Sequence, residues 1–249
     1  MLVGAVCVYL VQKSVNYVWL KLPSLADVYR DMFGGHNVLV LGDAQSGKTA
    51  LLWLMRTHKP YMLKDGKRIS PDRTRGRDDK PYALMGAGRV DGGTQQRRKR
   101  AQFSVNQDLA GEATKLWLTA ISETDPTGIL YLLRADDALQ KNENFQVALH
   151  KLRTYVLEPC ARERGRLRSL CILITFKDLL SRSEMRQARD NVELAVNREL
   201  ARANCRALRS LQLYYEEVQL AAHASEWNDA ETALRHFGLS LREHKKRAG

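Results

Sequence analysis

The stretch NVLVLGDAQSGKTALLWLM, residues 37–55, decides the fold. Residues 37–41 are almost entirely apolar, which is typical of a short strand buried on both faces of a sheet. The pattern GxxxxGK[ST] follows at once over residues 42–49, and a leucine-rich helical segment continues from it. A buried strand, a glycine-bounded loop and a helix in this order predict a loop whose backbone cradles a polyphosphate.

The residue types in this loop suit that chemistry. Gly42 and Gly47 permit tight turns, and the amides of residues 44–49 are expected to face phosphate oxygens at the positive end of the helix. We expect Lys48 to reach the β- and γ-phosphates and Thr49 to bind Mg²⁺. The alternative, a chance match in a glycine-rich turn, is disfavoured by the flanking strand and helix. The predicted phosphate-binding residues are Gly42, Asp43, Ala44, Gln45, Ser46, Gly47, Lys48, Thr49 and Ala50.

The rest of the chain alternates short apolar runs with longer helical stretches. Residues 128–134 and 169–175 are predicted buried strands, and residues 81–90 and 100–107 enclose an Asp-Gly-Gly turn typical of an antiparallel hairpin. Residues 58–80 are polar and basic and are expected to form a mobile loop. The pattern predicts an α/β fold of the P-loop NTPase kind, a mostly parallel sheet with helices on both faces and one antiparallel hairpin strand.

Further elements are expected between and after these strands. A last strand is predicted within residues 211–220. Pro159 is expected to end the helix predicted over residues 144–157, because proline disrupts a helix interior. The predicted helices span residues 113–122, 144–157, 184–203 and 226–241.

Composition sets wider bounds. The chain has 249 residues and a formal net charge of +12, which favours anionic partners such as nucleotides, nucleic acid or an acidic membrane surface. A solvated basic surface explains the same charge equally well. The cysteines form no CxxC pair, so a zinc site is not expected, and they are interpreted as reduced thiols in a cytosolic protein.

The N-terminal segment is treated as a separate unit. Residues 1–22 approach the length of a membrane span, but polar residues and Lys13 interrupt them. A membrane anchor, an interfacial segment and an element packed on the domain all stay open. The predicted organisation is an apolar segment over residues 1–35, a P-loop domain over 36–241 and a basic tail over 242–249.

A second motif lies downstream of the loop. Asp108-Leu109-Ala110-Gly111-Glu112 follows the candidate strand 101–105 and has the form DxxG. With the upstream loop it resembles the translation-factor-type and Ras-like GTPases of the TRAFAC class. The resemblance implies that Asp108 holds Mg²⁺ through water and that the Gly111 amide senses the γ-phosphate. An ordinary surface loop is the alternative.

Glu112 departs from that family pattern. Ras-like enzymes usually have glutamine there to orient the attacking water. A glutamate implies either a group that acts on water or a charge that repels the γ-phosphate and slows hydrolysis. Lys48, Gly111 and Glu112 are therefore the candidate catalytic residues.

The third motif follows the strand at 169–175, where the family has its guanine-binding NKxD sequence. The resemblance aligns Asp178 with the aspartate that accepts hydrogen bonds from guanine, and Thr175 with the asparagine. Phe176 replaces the lysine; it can stack on a purine but carries no ammonium group. The alternative is that Lys177 and Asp178 merely cap the next helix.

Two weaker assignments rest on position. Ala222 occupies the place of the family's base-binding loop, and Thr74 is the predicted switch threonine that meets Mg²⁺ and γ-phosphate, ahead of Thr94. Among relatives, Arf-like proteins and the signal recognition particle receptor β-subunit are similar, and a divergent bacterial member is expected.

The combined prediction is a GTP- and Mg²⁺-dependent switch that hydrolyses GTP slowly to GDP and recruits a protein effector. We expect it in the cytoplasm, with a membrane's cytoplasmic face as a further location. Nucleic acid is not the favoured partner, and the oligomeric state is left open. The alternatives are a pseudo-GTPase scaffold without turnover and a P-loop ATPase.

Overall fold

The computed structural model of the chain describes residues 36–57, 77–78, 82–86, 102–105, 108–162, 167–203, 211–220 and 228–247. The chain divides between Gly35 and His36 into two units, and all described residues belong to the second. The apolar segment 1–35, Thr74 and Ala222 lie outside the described residues. No helix within the described ranges is long and apolar enough to cross a membrane.

The central element is a six-stranded sheet with the strand order β3-β4-β1-β6-β7-β8. Neighbouring strands from β4 to β8 in this order pair in parallel, and β3 pairs antiparallel with β4. The predicted mostly parallel sheet with one antiparallel strand is confirmed. The strands are β1 (His36–Gly42), β2 (Arg77–Asp78), β3 (Tyr82–Gly86), β4 (Gln102–Val105), β5 (Asp108–Leu109), β6 (Gly128–Arg134), β7 (Ser169–Thr175) and β8 (Gln212–Val218).

The helices cover both faces of this sheet, as the sequence predicts. A π-turn at Arg153–Leu157 joins two of them, and a 3₁₀ turn at Lys177–Leu179 follows β7. The closing helix includes residues 242–247, so most of the segment predicted as a basic tail is helical. The helices are α1 (Lys48–Thr57), α2 (Thr114–Thr124), α3 (Ala135–Gln140), α4 (Glu143–Leu152), α5 (Glu158–Arg162), α6 (Arg182–Arg202) and α7 (Asn228–Arg247).

Alternation of side chains along the central strands creates two apolar cores. Leu39 and Leu41 of β1 face a core that they share with α2, α3, α4 and α6. Val38 and Val40 point to the opposite face and pack with α1 and α7. Because both faces of the sheet are covered, its central strands are nearly continuous apolar runs. Burial of these side chains is the main force that fixes the strand ends where the site lies.

Pro159 does not end the helical segment, so that prediction is wrong. The chain continues from α4 through the π-turn, in which the Glu158 amide donates to the Arg153 carbonyl, and then into α5. Pro159 lies in the first turn of α5, where its missing N–H and its ring are tolerated. The wider π-turn supplies the change of register that an uninterrupted α-helix would not.

The Asp108–Leu109 pair forms a strand separate from β4. It pairs antiparallel with Arg77–Asp78 in a second, two-stranded sheet. Arg77 and Asp78 fall inside the segment 58–80, which the sequence predicts as a loop, so a strand pair joins this segment to the DxxG motif.

Candidate functional site

Residues 42–49 form the bend between β1 and α1, at the carboxyl edge of the parallel sheet. Gly42 has φ +152° and Gly47 has φ +94°, conformations that residues with a side chain rarely adopt. A Cβ on Gly42 would also lie 2.8 Å from the Leu132 carbonyl oxygen. The two glycines of the motif are therefore required by the turn itself, and the predicted strand–loop–helix geometry is present.

The Lys48 side chain folds into this loop. Its Nζ donates to the carbonyls of Gly42 at 2.9 Å and Asp43 at 2.6 Å, and the residue is only 6% exposed. Thr49 is half-buried beside it in the first turn of α1. The loop thus encloses a lysine cation at the start of a helix, an arrangement that fits a bound polyanion.

The other loop residues differ in what they can offer. Gln45 is exposed and has φ 60°, whereas the Ser46 hydroxyl is buried without a hydrogen-bond partner. Ala50 packs its side chain into the core next to α1. Only the backbone of Ala50 can therefore contribute to a ligand site.

Asp43 places a carboxylate inside the loop. Its Oδ1 accepts hydrogen bonds from the Ala44 amide at 2.7 Å and from Lys151 Nζ at 2.8 Å. The Ala44 amide, predicted to face a phosphate, is thus bound to this carboxylate. Lys151 lies in the last turn of α4, and no sequence pattern marked it.

The DxxG segment lies against the same loop. A Cβ added to Gly111 would sit 2.4 Å from both Asp43 C and Ala44 N, so the two backbones touch. Lys151 Nζ also donates to the Gly111 carbonyl at 3.3 Å. Gly111 therefore lies against the phosphate loop, and contact of its amide with a γ-phosphate stays a prediction. Asp108 lies in β5, and its side chain is outside the described part of the structure.

A cavity of about 400 Å³ opens between the loop, the end of β6 and α4. It has the size of a small-molecule site. Exposed Glu112 lines it together with two further carboxylates, Asp43 and Asp137. The remaining lining residues are Ala44, Gln45, Ser46, Leu132, Leu133, Arg134, Asn144, Phe145 and Ala148.

Arg134 ends β6 at the rim of this cavity. Its guanidinium forms salt bridges with Asp136 at 2.6 Å and Asp137 at 3.6 Å and donates to the Gln45 carbonyl at 3.3 Å. Desolvation raises the pKa of Asp136, but the hydrogen bond and charge of Arg134 outweigh it and lower the pKa overall. A lone charged residue at the end of the apolar strand GILYLLR is a signal that sequence reasoning passed over.

The third motif lies beside the loop on the other side. Phe176 has φ 60°, and its ring carbon Cζ would lie 3.7 Å from a Cβ on Gly47. Thr175 is fully buried and donates to the Leu133 carbonyl at 3.2 Å. Thr175 therefore joins β7 to β6, and the expectation that its side chain contacts a ligand does not fit this position.

Asp178 lies in the 3₁₀ turn that follows β7. Its Oδ1 is buried and has no hydrogen-bond partner, which is an unfavourable state for a carboxylate in the absence of a donor. The alternative that it caps the next helix is wrong, because a capping box of Ser181 and Glu184 begins α6. Lys177 instead pairs with Asp229 of α7.

Asp178 also lines a second cavity, of about 550 Å³, between the 3₁₀ turn, α6 and the end of β8. In the described part of the chain, no cluster of three or more His, Cys, Asp or Glu side chains could hold a metal. The other residues that line the cavity are Lys177, Leu180, Arg182, Met185, Arg186, Arg189, Glu217 and Gln219.

Similarity to known proteins is found among solved structures. No family model and no curated protein matches the chain. Among the solved structures that match is "The Structure of the Mammalian SRP Receptor", at 15% identity and a TM-score of 0.48, covering 81% of this chain and 99% of that one. At that identity and TM-score, the functional assignment depends on the residues of this chain alone.

Proposed function

We propose that the chain binds GTP and GDP with Mg²⁺ and acts as a nucleotide-dependent switch. The observation that carries this proposal is the meeting of three segments that are far apart in the sequence. Gly111 packs on the backbone of Asp43 and Ala44, and Phe176 lies against Gly47. The segments predicted to contact the γ-phosphate and the base thus both lie against the loop that is predicted to bind the phosphates.

Phosphate binding is assigned to the loop amides and Lys48. The buried position of Lys48 at the helix start supports this role, because both its charge and the helix dipole attract an anion. Thr49 and Asp108 are the residues that would hold Mg²⁺, with Thr74 as a further predicted ligand. The ion would neutralise charge on the phosphate oxygens.

Guanine is the base that the Asp178 carboxylate favours. A buried carboxylate oxygen without a partner can accept hydrogen bonds from the N–H groups on one edge of guanine. Adenine has no matching pair of donors on that edge. Phe176 and Ala222 belong to the same proposed base site, the first through its aromatic ring and the second through its position in the chain.

The switch would consist of the paired strands Arg77–Asp78 and Asp108–Leu109. Contacts of the neighbouring loops with the γ-phosphate would hold this pair, and hydrolysis would release it. A protein effector that binds one of the two states would be the output. A location in the cytoplasm, with the cytoplasmic face of a membrane as a further site, is part of the same proposal.

Nucleotide competition tests the base assignment. GTP, GDP or ATP is added, with Mg²⁺ present, to the purified full chain carrying a bound fluorescent guanine nucleotide, and displacement of that nucleotide is measured. The proposal predicts displacement by GTP and GDP but not by ATP, and a loss of that preference in Asp178→Ala. Asp190→Ala, which removes an exposed carboxylate from α6, is the matched control. Equal displacement by ATP would contradict the guanine assignment.

A second candidate function is binding without turnover. Glu112 lines the cavity beside the loop, and a carboxylate there would repel a γ-phosphate. Phosphate release measured over hours at high protein concentration separates the two functions. Release that Lys48→Ala abolishes supports a GTPase, and stable bound GTP supports the pseudo-GTPase.

A further inference from the structure

An acidic side chain and a basic one meet at the phosphate loop from distant parts of the chain. Asp43 belongs to the loop, and Lys151 belongs to α4. Their side chains are 25% and 15% exposed, and Lys151 Nζ lies 2.8 Å from Asp43 Oδ1. The pair is therefore partly shielded from water, where charge interactions are stronger than on an open surface.

A carboxylate at this place opposes the binding of a polyphosphate. Its charge repels phosphate oxygens, and its Oδ1 holds the Ala44 amide, one of the donors that the loop offers to an anion. Lys151 offsets the charge repulsion. Its ammonium group neutralises the carboxylate and gives that oxygen a second partner besides the amide.

The helix that carries Lys151, α4, is held to the sheet by a hydrogen bond and by buried side chains. The Tyr131 hydroxyl in β6 donates to the Ala148 carbonyl of α4 at 2.7 Å, and Leu149 and Leu152 on either side are buried. α4 is therefore fixed to the sheet next to Lys151, and the side chain reaches the loop from a rigid support. A flexible surface lysine would lose more conformational entropy for the same contact.

Lys151 makes a second contact, with the DxxG segment. Nζ donates to the Gly111 carbonyl at 3.3 Å, while the Trp117 indole donates to the neighbouring Ala110 carbonyl at 3.1 Å. The DxxG segment is thus held from α4 and from α2. One cation therefore contacts both the phosphate loop and the segment expected to sense the γ-phosphate.

We propose that Lys151 is a positioning residue for nucleotide binding: it neutralises Asp43 within the phosphate loop and holds Gly111 against that loop. This inference rests on the proposed function. It predicts that removing the Asp43 charge restores most of the binding lost with Lys151, which is a property that a purely structural lysine would not have.

A mutant cycle tests it. Calorimetry measures the affinity of Mg²⁺–GDP for wild-type protein, Lys151→Met, Asp43→Asn and the double variant. Lys151→Met should weaken binding at least about tenfold, because one partner of a shielded ion pair is left unpaired. Asp43→Asn should bind more tightly than wild type, because a charge that repels phosphate is removed, and the double variant should recover to within about threefold of wild type.

Lys115→Met, which removes an exposed charge from α2, should leave the affinity unchanged. Lys151→Met with wild-type affinity, or a double variant as weak as Lys151→Met, would overturn the inference while leaving the proposed function intact. A loss of folding in both Lys151→Met and the double variant would overturn it as well. Wild-type protein that binds no nucleotide would reject the proposed function and the inference together.

Discussion

The Arg134 guanidinium lies over the ring of Phe176, with its Cζ 4.8 Å from the ring centroid, and donates to the Gln45 carbonyl at 3.3 Å. Phe176 carries no charge, yet a cation covers its ring. The stacked pair joins the segment after β7 to the phosphate loop. A contact of this kind combines ring–cation attraction with a charge-assisted hydrogen bond.

Arg134→Met should loosen that connection. The variant loses the salt bridge to Asp136, the stack on Phe176 and the hydrogen bond to the Gln45 carbonyl. The free energy of unfolding should therefore fall by about 1–2 kcal/mol. Nucleotide affinity should fall with it. Urea denaturation and calorimetry measure the two effects. Arg162→Met, at an arginine whose side chain is 80% exposed, should leave both unchanged. Wild-type values for Arg134→Met would show that the stack has no role.

The Asp136 carboxylate gives a prediction for pH. Its pKa in the folded chain is lowered from 3.8, so it binds protons less readily than in the unfolded chain. Its contribution to stability is therefore complete above the unfolded pKa and is lost as the pH falls through the lower, folded pKa. The difference in stability between Asp136→Asn and wild type should stay constant above about pH 4 and shrink as the pH falls further. Denaturation curves measured from pH 7 to pH 3 check this; a difference that stays constant over the whole range would contradict it.

Gly111→Ala tests whether the contact between the DxxG segment and the phosphate loop supports nucleotide binding. The new Cβ would lie 2.4 Å from backbone atoms of Asp43 and Ala44, so the two loops must move apart, and nucleotide affinity should fall. Gly128→Ala is the control, since the atoms nearest to its Cβ would belong to the side chains of Phe237 and Leu241. Overpacking should cost each variant about 1–3 kcal/mol of stability. Unchanged affinity in Gly111→Ala would show that the contact between the loops has no role in binding.

Trp117→Phe should loosen the DxxG segment. The change removes the indole donor to the Ala110 carbonyl, which keeps its hydrogen bond from the Ala113 amide, and should cost about 0.5–1.5 kcal/mol. Hydrogen exchange should become faster over residues 108–113. Trp53→Phe, at an indole 39% exposed on α1, should not change exchange there. Equal protection of residues 108–113 in both variants would show that Trp117 does not hold the segment.

Local patterns were enough to predict much of the fold. The strands at Gly128–Arg134 and Ser169–Thr175 have the predicted bounds, because apolar runs of that length fit only a sheet covered on both faces. The turn at residues 42–49 was predictable because its glycines have a backbone conformation that other residues rarely adopt.

What the sequence did not disclose depends on contacts between distant residues. Lys151 reaches Asp43 across 108 positions, and its helix has an ordinary amphipathic pattern. Thr175 looked available to a ligand because its motif position suggested it, but the register of β7 on β6 turns its hydroxyl to Leu133. Pro159 was misjudged because a π-turn, which has no sequence signature here, precedes it.

The central claim is tested most directly by calorimetric titration of Mg²⁺–GTP and Mg²⁺–GDP into wild-type protein and Lys48→Ala. Lys48 is buried within the loop, so its charge should supply most of the attraction for the phosphates. Wild-type protein should bind both nucleotides, and a folded Lys48→Ala should bind neither measurably. Equal affinity in the two proteins, or no binding by wild type, would contradict the assignment of residues 42–49 as a phosphate-binding loop.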